Sequence, residues 1–239
     1  MNAYRHDRSF ARTHPRSSES GPPCAVTTVS SIQKTDALYP AGLINHLGPK
    51  APHPIFALGN PDILYRKALA LVCSIKCPGN LILKTYDFAR QLRDAGVTVI
   101  GGFHSPMEKE CLSLLLRGKQ PVIWCLARRL TPKRPPRDYV EALSSGRLLI
   151  LSCFGEKIKR ATVETARIRN EFVAALSEKV FVSYAAPGGK IEVFCRRIIS
   201  WGKPVFTLDS PENVALLTMG AHPYSSIHTM MEIPKEQPS

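Results

Sequence analysis

Three short polar stretches carry most of the chemistry this chain can offer. Ser74 and Lys76 follow one apolar run, Gly101, Gly102, His104 and Ser105 follow a second, and Gly188, Gly189 and Lys190 follow a third. Glycines placed after strands let the backbone approach an anion, and the start of the next helix points free N–H groups at it. Arg169 and Asn170, within residues 167–177, add a cation and an amide on a helix that leads into an apolar strand. Together these residues read as a site for phosphate or nucleic acid. At any one loop an ordinary tight turn competes with that reading, because such sheets need glycine at strand-to-helix junctions. Three such loops on one edge favour a phosphate site.

Single residues keep two readings. His104 can donate to a phosphate or act as an acid/base near neutral pH, or simply cap backbone groups in its turn. Arg169 is a site cation or a helix-surface residue. Asn170 ties down a loop by side-chain hydrogen bonds. Lys190 opposes the helix dipole at a helix start, which points to an anion nearby.

The elements that must position these groups alternate. Apolar runs of strand length fall at 68–74, 97–100, 121–127, 148–154, 180–185 and 204–208, and helical patterns at 81–95, 106–117, 161–176 and 189–201. The first helix is expected to bury Leu83, Phe88, Leu92 and Ala95 and to stop at Gly96. Strand–helix alternation with short loops predicts an α/β fold, a Rossmann-like doubly wound, mostly parallel sheet with helices on both faces. In such sheets ligands sit at the carboxyl ends of the strands, where the polar stretches fall. Residues 1–50 mix Arg, His, Ser, Pro and Gly and read as a disordered basic extension, 51–222 as the domain, and 223–239 as a tail.

Composition narrows the partners. The 239 residues carry 32 Lys+Arg against 19 Asp+Glu, a net charge of +13, which attracts polyanions or anionic surfaces without choosing among them. The run from Arg128 to Arg137 has Arg and Lys among prolines and no acidic residue, so it is either a polyanion patch or a stiff solvated connector. Seven cysteines lie mostly in apolar contexts. Cys73 and Cys77 are the only near pair, so a metal site is not expected and the thiols read as small buried hydrophobes in a reducing cytoplasm. No apolar run reaches a membrane span, and the amino-terminal residues lack the apolar core of a signal peptide.

From about residue 55 to 213 the chain resembles the DprA/Smf family of DNA-processing proteins. The resemblance rests on Phe56-Ala57-Leu58-Gly59-Asn60-Pro61, on Leu71-Val72-Cys73-Ser74-Ile75-Lys76 at a Gly-Ser-Arg loop, and on Ala95 to Gly102 at a Ser-Gly turn. Arg169-Asn170 with Leu176-Ser177 matches an Arg-Asn…Leu-Ser helix, and Gly188 falls near a second Ser-Gly turn. Cys73 replaces a family glycine, Ile75 an arginine, and Glu171 the second arginine of Arg-Asn-Arg, while 103–110 depart from a Gly-Ile-Asp turn. The resemblance implies a non-catalytic protein without cofactors that holds single-stranded DNA or a nucleotide, serves a RecA-type recombinase, and forms a homodimer. Pro187-Gly188-Gly189-Lys190-Ile191-Glu192 is also similar to part of the motif of LOG-type phosphoribohydrolases, without its Gly-Thr half. That alternative implies a nucleotide-binding enzyme that needs a carboxylate from Glu108, Glu110 or Glu192, or a nucleotide-sensing domain.

Overall fold

The computed structural model describes residues 28–131 and 137–232. Period-two alternation along each central strand sends neighbours to opposite faces, so each face needs a cover. Leu69, Leu71 and Val99 join one core and Ala70, Val72 and Ile100 the other. Strands buried on both faces are near-continuously apolar, as β3 (Ala68–Val72), wholly buried, illustrates.

Nine strands form one sheet: β1 (Ser30–Ile32), β2 (Ile55–Gly59), β3, β4 (Thr98–Gly101), β5 (Val122–Leu126), β6 (Leu148–Ser152), β7 (Lys179–Val182), β8 (Val205–Leu208) and β9 (His222–Tyr224). Their order is β1-β2-β6-β5-β4-β3-β7-β8-β9. The block from β6 to β9 is parallel, whereas β1–β2 and β2–β6 are antiparallel. The doubly wound, mostly parallel sheet expected from the alternation is therefore the observed fold.

Helices cover both faces. On one lie α2 (Gly79–Asp94), α3 (Pro106–Leu116) and α4 (Arg137–Ser144), and on the other α1 (Ala41–Leu47), α5 (Val163–Leu176) and α6 (Lys190–Ser200). Helix α2 buries Leu81, Thr85, Phe88, Ala89 and Leu92, one face at helical spacing. Leu83 and Ala95, expected in that stripe, are exposed. Leu83 is two residues beyond Leu81, about 200° around the helix, so it cannot share that face. Phe88 stacks on Phe181 of β7 at 3.8 Å between ring centroids, pinning α2 to the sheet.

Two terminal expectations change. The disordered extension read over 1–50 does not hold for 30–50, which contain β1 and α1. Helix α1 inserts fully buried Leu43 into the core, and Gly42 brings it so close to α5 that a Cβ there would strike the Ala175 carbonyl. These few apolar residues lack a long period, so tertiary packing supplies their order. Residues 1–27 lie outside the described residues. The tail read from 223 contains the end of β9 and a short helix (Ile227–Glu232), anchored by buried Met230 and by Lys179, whose ammonium donates to the Met230 and Met231 carbonyls at 2.9 and 2.6 Å. Among the described residues, no helix is long and apolar enough to cross a membrane.

Truncating Phe88 to Ala removes a fully buried ring and should cost about 3–5 kcal/mol. Val193→Ala, at a position 65% exposed on α6, should stay within about 0.5 kcal/mol. Urea unfolding followed by circular dichroism checks both.

Candidate functional site

Strand β3 lies between β4 and β7, so the order of the sheet reverses beside it and a crevice is expected between the loops after β3 and β7. Ser74 bridges that crevice. Its N–H donates to the Tyr184 carbonyl and its hydroxyl accepts from the Ala186 N–H, both at 3.0 Å. The side chain is buried, so this hydroxyl serves as a tie between loops. Lys76, two residues on, is exposed.

The next loop runs Gly101-Gly102-Phe103-His104-Ser105. Phe103 takes a positive φ of 44°, unusual for a side-chain-bearing residue, and its buried ring holds that conformation in place. Beyond it, the N–H groups of His104 and Ser105 donate to Glu108 Oε2 at 3.0 and 2.9 Å. Glu108 Oε1 accepts from the Cys73 N–H at 3.2 Å, and the Ser105 hydroxyl accepts from the Glu108 N–H at 3.2 Å. This is a capping box at the start of α3, extended by one bond to the neighbouring loop. The donors that sequence reading offered to a phosphate are thus directed at buried Glu108. The His104 side chain is exposed.

Arg169 faces this loop from α5. A Cβ at Gly102 would overlap its guanidinium, so only glycine leaves room for the close approach. The Arg169 Nε donates to Asn170 Oδ1 at 2.9 Å and Nη1 to the Cys125 carbonyl at 3.4 Å. Burial lowers the Arg169 pKa from its ordinary value, and the Glu108 carboxylate opposes that shift. The guanidinium keeps its charge, because an arginine remains protonated at neutral pH even when its pKa falls.

The loop after β7 closes on itself. Gly188 has a φ of 66° and donates its N–H to Glu192 Oε2 at 2.8 Å, while the Gly189 N–H donates to the Ala186 carbonyl at 2.9 Å. Lys190 is exposed in the first turn of α6. Ser74, Gly101, Gly102, Ser105, Arg169 and Asn170 are therefore drawn together around Glu108. Lys76, His104, Gly188 and Lys190 lie on the exposed loops that frame this cluster.

Sequence reading missed Glu108 as the hub of the cluster and missed a set of exposed cations. Lys157, Lys159 and Arg160 sit on the loop after β6, next to exposed Arg128 on the loop after β5. These loops are joined: the Ser152 hydroxyl donates to the Arg128 carbonyl at 2.7 Å, the Arg129 N–H to the Ile158 carbonyl at 2.8 Å, and Arg129 pairs with Glu156. The signal is Lys157-Ile158-Lys159-Arg160, which falls between the run 148–154 and the helical pattern 161–176. Of the basic run 128–137, residues 132–136 lie outside the described residues. A surface hollow of about 760 Å³, bordered by Gly118, Lys119 and Arg147, lies at the opposite, amino end of the strands and includes none of these groups. Among the described residues, no three His, Cys, Asp or Glu side chains are placed to hold a metal ion.

Gly102→Ala forces its methyl against the buried guanidinium and should destabilise the protein by about 1–3 kcal/mol in urea unfolding. Gly155→Ala, where an added Cβ meets nothing within 4 Å, is the matched control and should leave the midpoint within about 0.5 kcal/mol.

Comparison with known proteins agrees with the fold. DNA processing protein A from Streptococcus pneumoniae superposes with a TM-score of 0.72 at 20% identity, covering 87% of this chain and 75% of that one. DNA processing protein A from Helicobacter pylori, described for its single-stranded DNA binding mode, gives 0.66 at 17% identity, covering 85% and 94%. At these identities the likeness concerns the fold. No curated protein sequence matches the chain significantly. A family model for DNA recombination-mediator protein A matches residues 30–232, nearly the whole described chain, and the chain belongs to that family.

Proposed function

We propose that this protein binds single-stranded DNA across the carboxyl edge of its sheet and does so without catalysis. The observation that carries the reading is the placement of exposed Lys76, Arg128, Lys157, Lys159, Arg160 and Lys190 after β3, β5, β6 and β7 at that edge, beside the buried Arg169 cluster. A net charge of +13 supplies the long-range attraction. The single-stranded DNA binding mode described for the H. pylori relative supports the same ligand class.

The nucleotide-hydrolase alternative has less support. A nucleoside monophosphate needs free backbone donors for its phosphate, yet those after β3 and β4 are directed at Glu108. Glu192 accepts from Gly188 and pairs with Arg196, so it is tied to its own turn and helix. We further propose a cytoplasmic protein that acts as a homodimer and serves a RecA-type recombinase, as befits its family.

Fluorescence anisotropy with an oligo(dT) strand tests the main reading. Affinity should fall with added salt, with a log–log slope of about −0.7 per phosphate neutralised. Lys159→Ala and Arg160→Ala should each weaken binding and reduce that slope by about 0.7. An affinity indifferent to salt overturns the reading, and release of free base from nucleoside monophosphates would favour the hydrolase.

A further inference from the structure

The cations of the carboxyl edge stand on side chains that reach outward, whereas much of the loop backbone beneath them is turned inward. The Cys73, His104 and Ser105 N–H groups donate to Glu108, and the Gly188 N–H donates to Glu192. Carbonyls are engaged as well. Gly102 accepts from Trp124 Nε1 at 3.1 Å, Cys125 from Arg169 at 3.4 Å, and Arg128 from the Ser152 hydroxyl at 2.7 Å. What this edge holds out to a ligand is positive charge on long side chains.

The aromatic rings near these loops are committed too. Phe103 and Phe154 are buried. The Trp124 ring packs edge-on against Tyr139, 5.4 Å between centroids, and half-buried Tyr184 packs against the apolar cluster beneath α2 and α3. The exposed apolar side chains of the edge, Ile75 and Val163, are aliphatic and present no ring face to a base. The His104 ring is exposed, but one imidazole does not make a stacking row for successive bases.

Proteins that hold single strands by their bases stack them on aromatic side chains. Those that separate RNA from DNA do so at the 2′-hydroxyl, with a donor or acceptor placed beside it. Neither device is built by the described residues of this edge. Lys76, Arg128, Lys157, Lys159, Arg160 and Lys190 reach instead for phosphate oxygens, which RNA and DNA share. The row they form crosses the sheet from β6 to β7, four steps in the strand order and about 19 Å. Flexible stems let these cations follow the phosphates of either sugar chain.

We propose that the same edge binds single-stranded RNA as tightly as single-stranded DNA, because it meets both through their phosphates. This rests on the single-stranded DNA reading and extends its ligand class to the ribose strand.

Fluorescence anisotropy with the full chain compares oligo(U) with oligo(dU), equal in length and label, which differ only at the 2′ carbon. Their Kd values should agree within about threefold, less than one good hydrogen bond to a 2′-hydroxyl would contribute. Their log–log salt slopes should differ by less than about 0.7, the share of one phosphate. Unlabelled oligo(U) should displace labelled oligo(dU) completely. Lys159→Ala and Arg160→Ala should weaken both strands by the same factor. An abasic deoxyribose strand of the same length should bind within about threefold of oligo(dU), where lost stacking on even one ring would cost more. A larger sugar preference, incomplete displacement, or a variant that weakens one strand alone overturns the shared RNA site. A larger loss with the abasic strand overturns its phosphate basis. Binding of oligo(dU) without oligo(U) removes the RNA ligand and leaves the DNA reading standing, whereas binding of neither strand removes both.

Discussion

A carboxylate between backbone donors and a buried guanidinium is the constraint from which the site is built. Glu108 accepts N–H bonds from Cys73, His104 and Ser105, and its charge acts on Arg169 through a poorly solvated interior. Without Glu108, three donors and a buried cation would crowd one place with no anion. Without Arg169, a buried carboxylate would face only dipoles. Removing either partner exposes the desolvation cost of the other, so the pair is worth more in place than either residue alone. The tight details nearby follow from it: Gly102 makes room for the guanidinium, and Phe103 accepts a positive φ so that the chain can turn its N–H groups toward Glu108.

The central sheet was legible because its strands obey strong local rules. All six parallel strands from β3 to β8 coincide with apolar runs bounded by glycine or proline, and helices α2, α3, α5 and α6 follow their periodic patterns. What escaped reading depends on distant packing. Strand β2 is a short run that becomes a strand by pairing antiparallel with β6, and α1 is ordered by the seat that Leu43 finds under the sheet. The capping box at Ser105 and Glu108 was visible in the residues between Ser105 and Glu108. Its third bond, from Cys73, joins residues 35 apart in sequence and is a product of the fold.

The site was legible to the same degree. Arg169 and Gly102 were singled out separately, and the fold places them in contact. The glycine turns were read as waiting for a ligand, but a turn rich in N–H groups attracts any anion within reach, including one on its own next helix. In the sequence Glu108 stands out only as a candidate catalytic carboxylate. Its burial comes from the turn of the chain at Phe103, which no local propensity announces.

The departures from the family pattern then acquire a common physical sense. Ile75, in place of an arginine, is 73% exposed, and Glu171, in place of another, is held by Arg167 at 2.5 Å and Arg197 at 2.9 Å. A carboxylate clamped by two guanidiniums contributes little net repulsion to an approaching phosphate, and it stitches α5 to α6. Cation charge missing near the glycine loops is present instead on the rim, at Arg128, Lys157, Lys159 and Arg160. Exposed lysines and arginines keep their hydration until a phosphate arrives and adapt to its position, whereas a buried arginine is committed to its partners. An edge arranged in this way suits a long, flexible polyanion better than a single small phosphate. The cluster around Arg169 shapes the loops, and the rim carries the exposed positive charge of this edge.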